Sequence, residues 1–240
     1  MRLASRVAAL SAGVGVLGAL TASLLATACF PDPEGDYQDF VARTANLQED
    51  SGPPAEVDAN IDTKPPTESV DALYVGICVT TLAAKDPEQA LRFYTETKFT
   101  PDPAGGGMLS LTVSPLRGWD LVKNGYTSPA TVSKSEIRGD NIPVPNSPVA
   151  AGTGRFTAVL GTVRLTKEAN SVSGKDALIN NVTLDGRFGG GDRFCTTLAG
   201  DLVEPYGFTF DPKANTCLFQ KVNEGDPLPK IPSAEFVCPL

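Results

Sequence analysis

From about residue 70 onward, apolar side chains recur at every second position, which is the period of a β-strand and not of a helix. Leu109, Leu111 and Val113 point one way, Ser110, Thr112 and Ser114 the other. Leu91, Phe93 and Phe99 alternate with Arg92, Glu96 and Lys98, and Leu178, Val182, Leu184 and Phe188 oppose Thr183, Asp185 and Arg187. Phe194, Leu198 and Leu202 continue the rule. Residues 72–82 and 156–165 are apolar on both faces and read as central strands. Glycine, proline and aspartate clusters at 103–107, 189–192 and 211–215 mark the turns between runs. Roughly eight strands joined by short turns predict an all-β domain over residues 70–240, an antiparallel sandwich or barrel.

Two stretches depart from this pattern. Asp86-Pro87-Glu88 can open a short helix over 86–91, because proline is accommodated in a first turn. Residues 117–154, with four prolines, several glycines, Trp119 and Tyr126, read as a long connection with one strand near 131–137. Trp119 is the only tryptophan; a core anchor is its expected role, a ligand contact the alternative.

The first 28 residues are of another kind. Arg2 and Arg6 are the only charges before Asp32, and an uninterrupted apolar and small-residue run fills positions 7–28. A basic start, an apolar run and small residues at its end make a secretory signal. The run ends Leu24-Leu25-Ala26-Thr27-Ala28-Cys29, which resembles the lipobox of bacterial lipoproteins, with Leu25 one place further from the cysteine than is usual. That resemblance implies that Cys29 carries a diacylglyceryl group and becomes the new N-terminus. Phe30 follows it where lipoproteins kept at the inner membrane commonly have Asp, so the resemblance points to an exported, lipid-anchored protein of the outer membrane. Ala26-Thr27-Ala28 also fits ordinary signal cleavage, and the uncut run is long enough to span a bilayer.

Between anchor and domain, residues 29–69 are rich in Pro, Asp, Glu and Thr and too poor in apolar groups to fold alone. They read as a flexible tether with a possible short helix over 37–47, whose Tyr37, Phe40, Val41 and Leu47 share one face.

Five cysteines are present: Cys29, Cys78, Cys195, Cys217 and Cys238. Lipid on Cys29 leaves four, enough for two disulfides in an oxidising compartment. Three pairings are possible. We expect Cys195 with Cys217, on neighbouring strands, and Cys78 with Cys238, pinning the tail to the first strand. No C-x-x-C motif occurs, so these are structural bridges and not redox centres.

Charge and composition exclude several functions. Removing residues 1–28 takes two of the 20 basic side chains and none of the 28 acidic ones, leaving a net charge of about −10. That argues against nucleic acid, whose phosphates require basic patches, and against electrostatic docking on anionic lipid. The partner expected is the membrane itself, through acyl chains. No histidine is present, so Ser-His-Asp and Cys-His catalysis and histidine-ligated zinc are absent.

The remaining motifs are coincidental. Gly13-Val-Gly-Val-Leu-Gly18 matches a dinucleotide fingerprint but lies inside the signal's apolar run, with no preceding strand. Asp32, Glu34, Asp36 and Asp39 lack the spacing and closing Glu of a calcium loop. Asn181-Val182-Thr183 forms a glycosylation sequon, of little consequence if the cell is bacterial, as the lipobox resemblance implies. No catalytic, cofactor-binding or metal-binding residue is assigned.

Three readings of the domain follow. One is a non-catalytic envelope module that binds protein or glycan partners or serves structurally. The second is a lipocalin-like carrier of an apolar small molecule, although the Gly-x-Trp element usual near the first lipocalin strand is missing. The third is a carboxylate-dependent hydrolase, for which Asp185, Asp192, Asp201 and Glu204 are the available acids.

Overall fold

In the computed structural model the residues described are 64–83, 89–118, 131–229 and Cys238, all within one compact unit, Ala59–Leu240. The signal segment, Cys29, the 37–47 helix, most of the 86–91 helix and Trp119 lie outside them. Nine strands run in the order β1 (Val70–Val79), β2 (Leu91–Pro101), β3 (Gly107–Pro115), β4 (Ile142–Val149), β5 (Arg155–Leu165), β6 (Ala177–Arg187), β7 (Arg193–Glu204), β8 (Phe208–Phe210) and β9 (Thr216–Val222). They form one antiparallel sheet, ordered β4-β3-β2-β1-β9-β7-β6-β5, with the short β8 paired to β7. The outermost strands, β4 and β5, follow each other in the chain and lie side by side. Among the described residues no ladder joins them, so the sheet is a barrel closed except along one seam.

Strand β1 is central, as its two apolar faces predict. It pairs with β2 and with β9, and Tyr74 and Cys78 face the barrel core while Val75, Ile77 and Val79 face outward and are also buried. The same expectation for residues 156–165 is overturned. Strand β5 pairs only with β6 and is the last strand of the path. Its second apolar face consists largely of Val159, which is 63% exposed.

The 117–154 stretch also holds more structure than expected. Thr131 and Ile137 make only isolated bridges, and a 3-10 turn at Lys134–Glu136 replaces the predicted strand. The strand instead comes later, as β4. Its three prolines, Pro143, Pro145 and Pro148, all point outward, and an edge strand is where proline is tolerated, since one side needs no N–H donors.

In β6 the predicted face holds for Val182, Leu184 and Phe188 but not for Leu178. Asn181 adopts a positive φ of 55° and the register with β7 shifts between Asn180 and Thr183. This bulge reverses the parity before it, so Ala177 and Ile179 face the core and Leu178 does not.

The core is aromatic. Phe194 stacks on Phe219 with ring centres 4.4 Å apart and meets Tyr74, Phe188 and Phe156 edge-on. Gly76 makes room for this stack: it pairs with Phe219, and a Cβ there would fall 2.7 Å from the Phe219 ring. Tyr74 donates its hydroxyl hydrogen to the Gly191 carbonyl at 2.8 Å. Burial, with the Asp192 charge adding to it, pushes the Tyr74 pKa up to about 12. Because the folded value lies above the unfolded one, the neutral phenol's contribution is complete below about pH 10 and is lost as pH rises to about 12, an effect of about 3 kcal/mol. We expect urea midpoints to fall across that window in the parent and to fall less in Tyr74→Phe; equal slopes would remove this role.

Two further clusters lie outside the barrel. The segment around Leu116, Val132 and Ile137 covers the outward residues of β1 together with Tyr94. Glu224 holds it in place, accepting from the Lys134 N–H at 2.9 Å and from the Tyr94 hydroxyl at 2.8 Å. Those bonds, the Lys134 amide first, draw the Glu224 carboxyl below its ordinary pKa.

Cys238 packs on Cys195 and Leu218, and the disulfides follow from this layout: Cys78 with Cys217, and Cys195 with Cys238. Our expected pairing is therefore corrected, and register supplies the reason. Cys217 lies opposite Thr196, and Leu218 lies opposite Cys195. Directly opposed residues share a face, so Cys217 points into the barrel and Cys195 out of it. Cys78 and Cys217 are themselves opposed, with Cα atoms 3.9 Å apart. Two disulfides suit an oxidising compartment.

Candidate ligand pocket at the barrel mouth

Antiparallel order gives the barrel two distinct ends. The chain enters at one of them, where Pro65 is buried and Pro66 crosses the 188–192 turn. A side chain on Gly190 would meet Pro66 Cγ at 2.3 Å, and Gly190 has a φ of +72°. The last residues of the expected tether thus dock on the domain. The other end is where β1, β5 and β7 finish and where β2 and β6 begin.

At that far end lies a cavity of about 300 Å³. Its wall is assembled from strand ends: Leu91 of β2, Leu165 of β5, Ala177 and Ile179 of β6, and Leu202 of β7. Leu82, Val172, Tyr206 and Phe210 roof it from the turns and β8. The bulge at Asn181 is what turns Ile179 and Ala177 inward, so a local irregularity in β6 supplies one side of the pocket.

Buried polar groups fix the roof. Asn170 donates to Ser173 Oγ and to the Lys175 carbonyl, both at 2.8 Å, and its Oδ1 accepts from the Val172 and Ser173 amides. Ser171, fully buried, donates to the Ala90 carbonyl at 2.6 Å, tying the 166–176 turn to the start of β2. Asn215 accepts from the Thr81 amide at 2.8 Å and donates to the Asp211 carbonyl at 2.8 Å, holding the 3-10 turn at Thr81–Ala83 to the β8–β9 connection. The pocket is therefore framed by satisfied side-chain amides. The exception is Thr80, in the wall, whose hydroxyl is buried without a partner, a cost of ~1–3 kcal/mol.

A second depression, about 530 Å³, lies at the seam and is lined by Pro148, Arg155, Phe156, Thr157, Asp185 and Gly186. It is larger, but Pro148, Arg155 and Thr157 are exposed, so it is an open groove. The mouth cavity is smaller and apolar, which is the character expected of a small-molecule site.

The four acids named from the sequence do not come together. Asp185 lies opposite Thr197 on β7 while Asp201 lies opposite Asn180, four residues further along the strand and so ~13 Å away. Asp185 accepts from the Thr157 hydroxyl, and Asp201 from Asn181 and Thr209. Asp192 sits in the turn before β7 and Glu204 ends that strand, both exposed. Among the described residues no three His, Cys, Asp or Glu side chains are grouped as metal ligands. No family model, curated protein or solved structure matches this chain.

No pocket stood out in the sequence. Leu91 and Leu202 read only as apolar strand positions, Asn215 as part of the 211–215 turn, and Asn170-Ser171 belong to no motif. Only burial reveals that they organise a site.

Proposed function

We propose that this chain is an exported, lipid-anchored cell-envelope protein, a non-catalytic binding module that holds a small apolar molecule in the mouth of its barrel. The observation that carries the binding role is the apolar cavity walled by strand ends and roofed by ordered turns. Its volume equals that of about ten groups the size of a water or methylene, at the small end of ligand sites. The dispersed acids lend a hydrolase no support.

Export and anchoring rest on the basic start, the apolar run and the lipobox-like end at Cys29. Pairing of Cys78, Cys195, Cys217 and Cys238 adds support, because it leaves Cys29 as the odd cysteine. Intact mass of the mature protein tests this half: acyl chains on Cys29 raise it well above that of a free thiol, and the mass of a free thiol rejects the anchor.

The binding half is tested by displacement of a fluorescent apolar probe. Ile179→Trp grows a ring into the cavity and is expected to weaken probe binding at least roughly tenfold, since a filled pocket forfeits the contacts that drive entry. Met108→Ala, an exposed change remote from the mouth, leaves binding unchanged. Probe affinity equal in parent and Ile179→Trp, or no binding by either, rejects the mouth as a ligand site.

A further inference from the structure

We infer that the outer wall of β5, β6 and β7, near the end where the chain enters, carries an oxyanion site formed by Arg155, Arg187 and Arg193 that takes a phosphate or carboxylate group. Arg155 lies directly opposite Arg187, where Cβ atoms are ~5 Å apart and like charges repel. Arg187 lies opposite Cys195, and Cys195 shares the outer face with Arg193 two residues before it. Arg193 is therefore the diagonal neighbour of Arg187, within ~7–8 Å.

None of the three is ion-paired to a carboxylate within the described structure, although the chain has 28 acids to 20 bases. Other cations do find partners, Arg117 with Glu136, Lys98 with Asp71, Lys134 with Glu96 and Lys167 with Glu168. What sets the three arginines apart from exposed, unpaired Arg164 is that they are neighbours on one face. Arg187 is half-buried, and its Nε has no acceptor. Asp185, two residues along β6, also lines the seam groove and accepts from the Thr157 hydroxyl, and exposed Asp192 precedes Arg193; among the described residues neither pairs with the three arginines. Arg155 also forms one wall of the seam groove of about 530 Å³, giving an anion room beside the arginines. Planar guanidinium groups bind oxyanions two-pronged, and an anion between them would turn an opposed like-charge pair into a bridged one. The site lies at the opposite end from the mouth cavity and does not depend on it.

The test uses the full chain and inorganic phosphate. Phosphate is expected to raise the melting temperature by several degrees over chloride of equal ionic strength, through binding to the folded state alone. Arg155→Gln and Arg187→Gln should each weaken phosphate binding roughly tenfold, whereas Arg164→Gln, exposed at the other end of β5, should not. Without phosphate, Arg155→Gln should be at least as stable as the parent, because it relieves the opposed charges. Arginine Nε–H shifts in the unmutated chain report the same binding without a variant. Vesicles with and without anionic phospholipid separate the sources: arginine-dependent binding to the anionic vesicles assigns a lipid headgroup, and phosphate binding without vesicle binding assigns a free anion. No phosphate-specific stabilisation, or stabilisation that persists in both glutamine variants, overturns the site.

Discussion

Phe194→Ala should lower stability by about 3–5 kcal/mol, the range for removing a large buried ring. Phe194 is 1% exposed and meets four other rings, one of them stacked. It sits on β7, held between β6 and β9, so the surrounding backbone has little freedom to collapse into the space left. Typical domains have ~5–15 kcal/mol in total, and one such loss leaves the barrel near its limit. Urea unfolding should show a lower midpoint with an unchanged slope. Phe208→Ala provides the contrast: Phe208 is only partly buried, on the three-residue β8, and meets one ring. Equal losses at the two positions would refute an aromatic core centred on Phe194.

Cys78→Ala with Cys217→Ala should cost about 5 kcal/mol in the chain-entropy view, because that bridge closes a loop of 139 residues and the penalty grows with loop length. Cys195→Ala with Cys238→Ala, closing 43 residues, should cost about 4 kcal/mol by the same rule. The more informative difference is qualitative. Cys78 and Cys217 lie inside the core, so their loss leaves a defect among packed side chains. The second pair joins the outer wall to the tail, so its loss should leave the barrel's aromatic signals intact. Melting temperatures of the two double variants, with non-reducing peptide mapping, check both points. A peptide joining Cys195 to Cys217 would contradict the face assignment.

Strand pattern was readable wherever alternation was unbroken, as in β3, where Leu109, Leu111 and Val113 fill the core as expected. It failed at Leu178 because one bulged residue, Asn181, inverts which side chains point inward, and no residue type announces a bulge. It failed at β5 because Val159 is apolar but exposed: sequence records side-chain chemistry, not which strand ends the sheet. Prolines misled in β4, since an edge strand accepts them and a central strand does not. The mouth cavity was illegible for a deeper reason. Its lining comes from strand ends far apart in the chain, each an ordinary core residue by itself. The disulfide pairing turned on face parity between β7 and β9, which needs the register and not merely the order of strands.

The seam between β4 and β5 sets how these molecules can associate. An open barrel exposes two strand edges, and edges invite pairing with other chains. Here they are unequal: β4 carries three outward prolines that remove donors, whereas β5 carries none. Growth into a fibre through these edges requires both of them on every subunit, and the prolines of β4 weaken one. The seam is therefore a poor template for edge-to-edge growth.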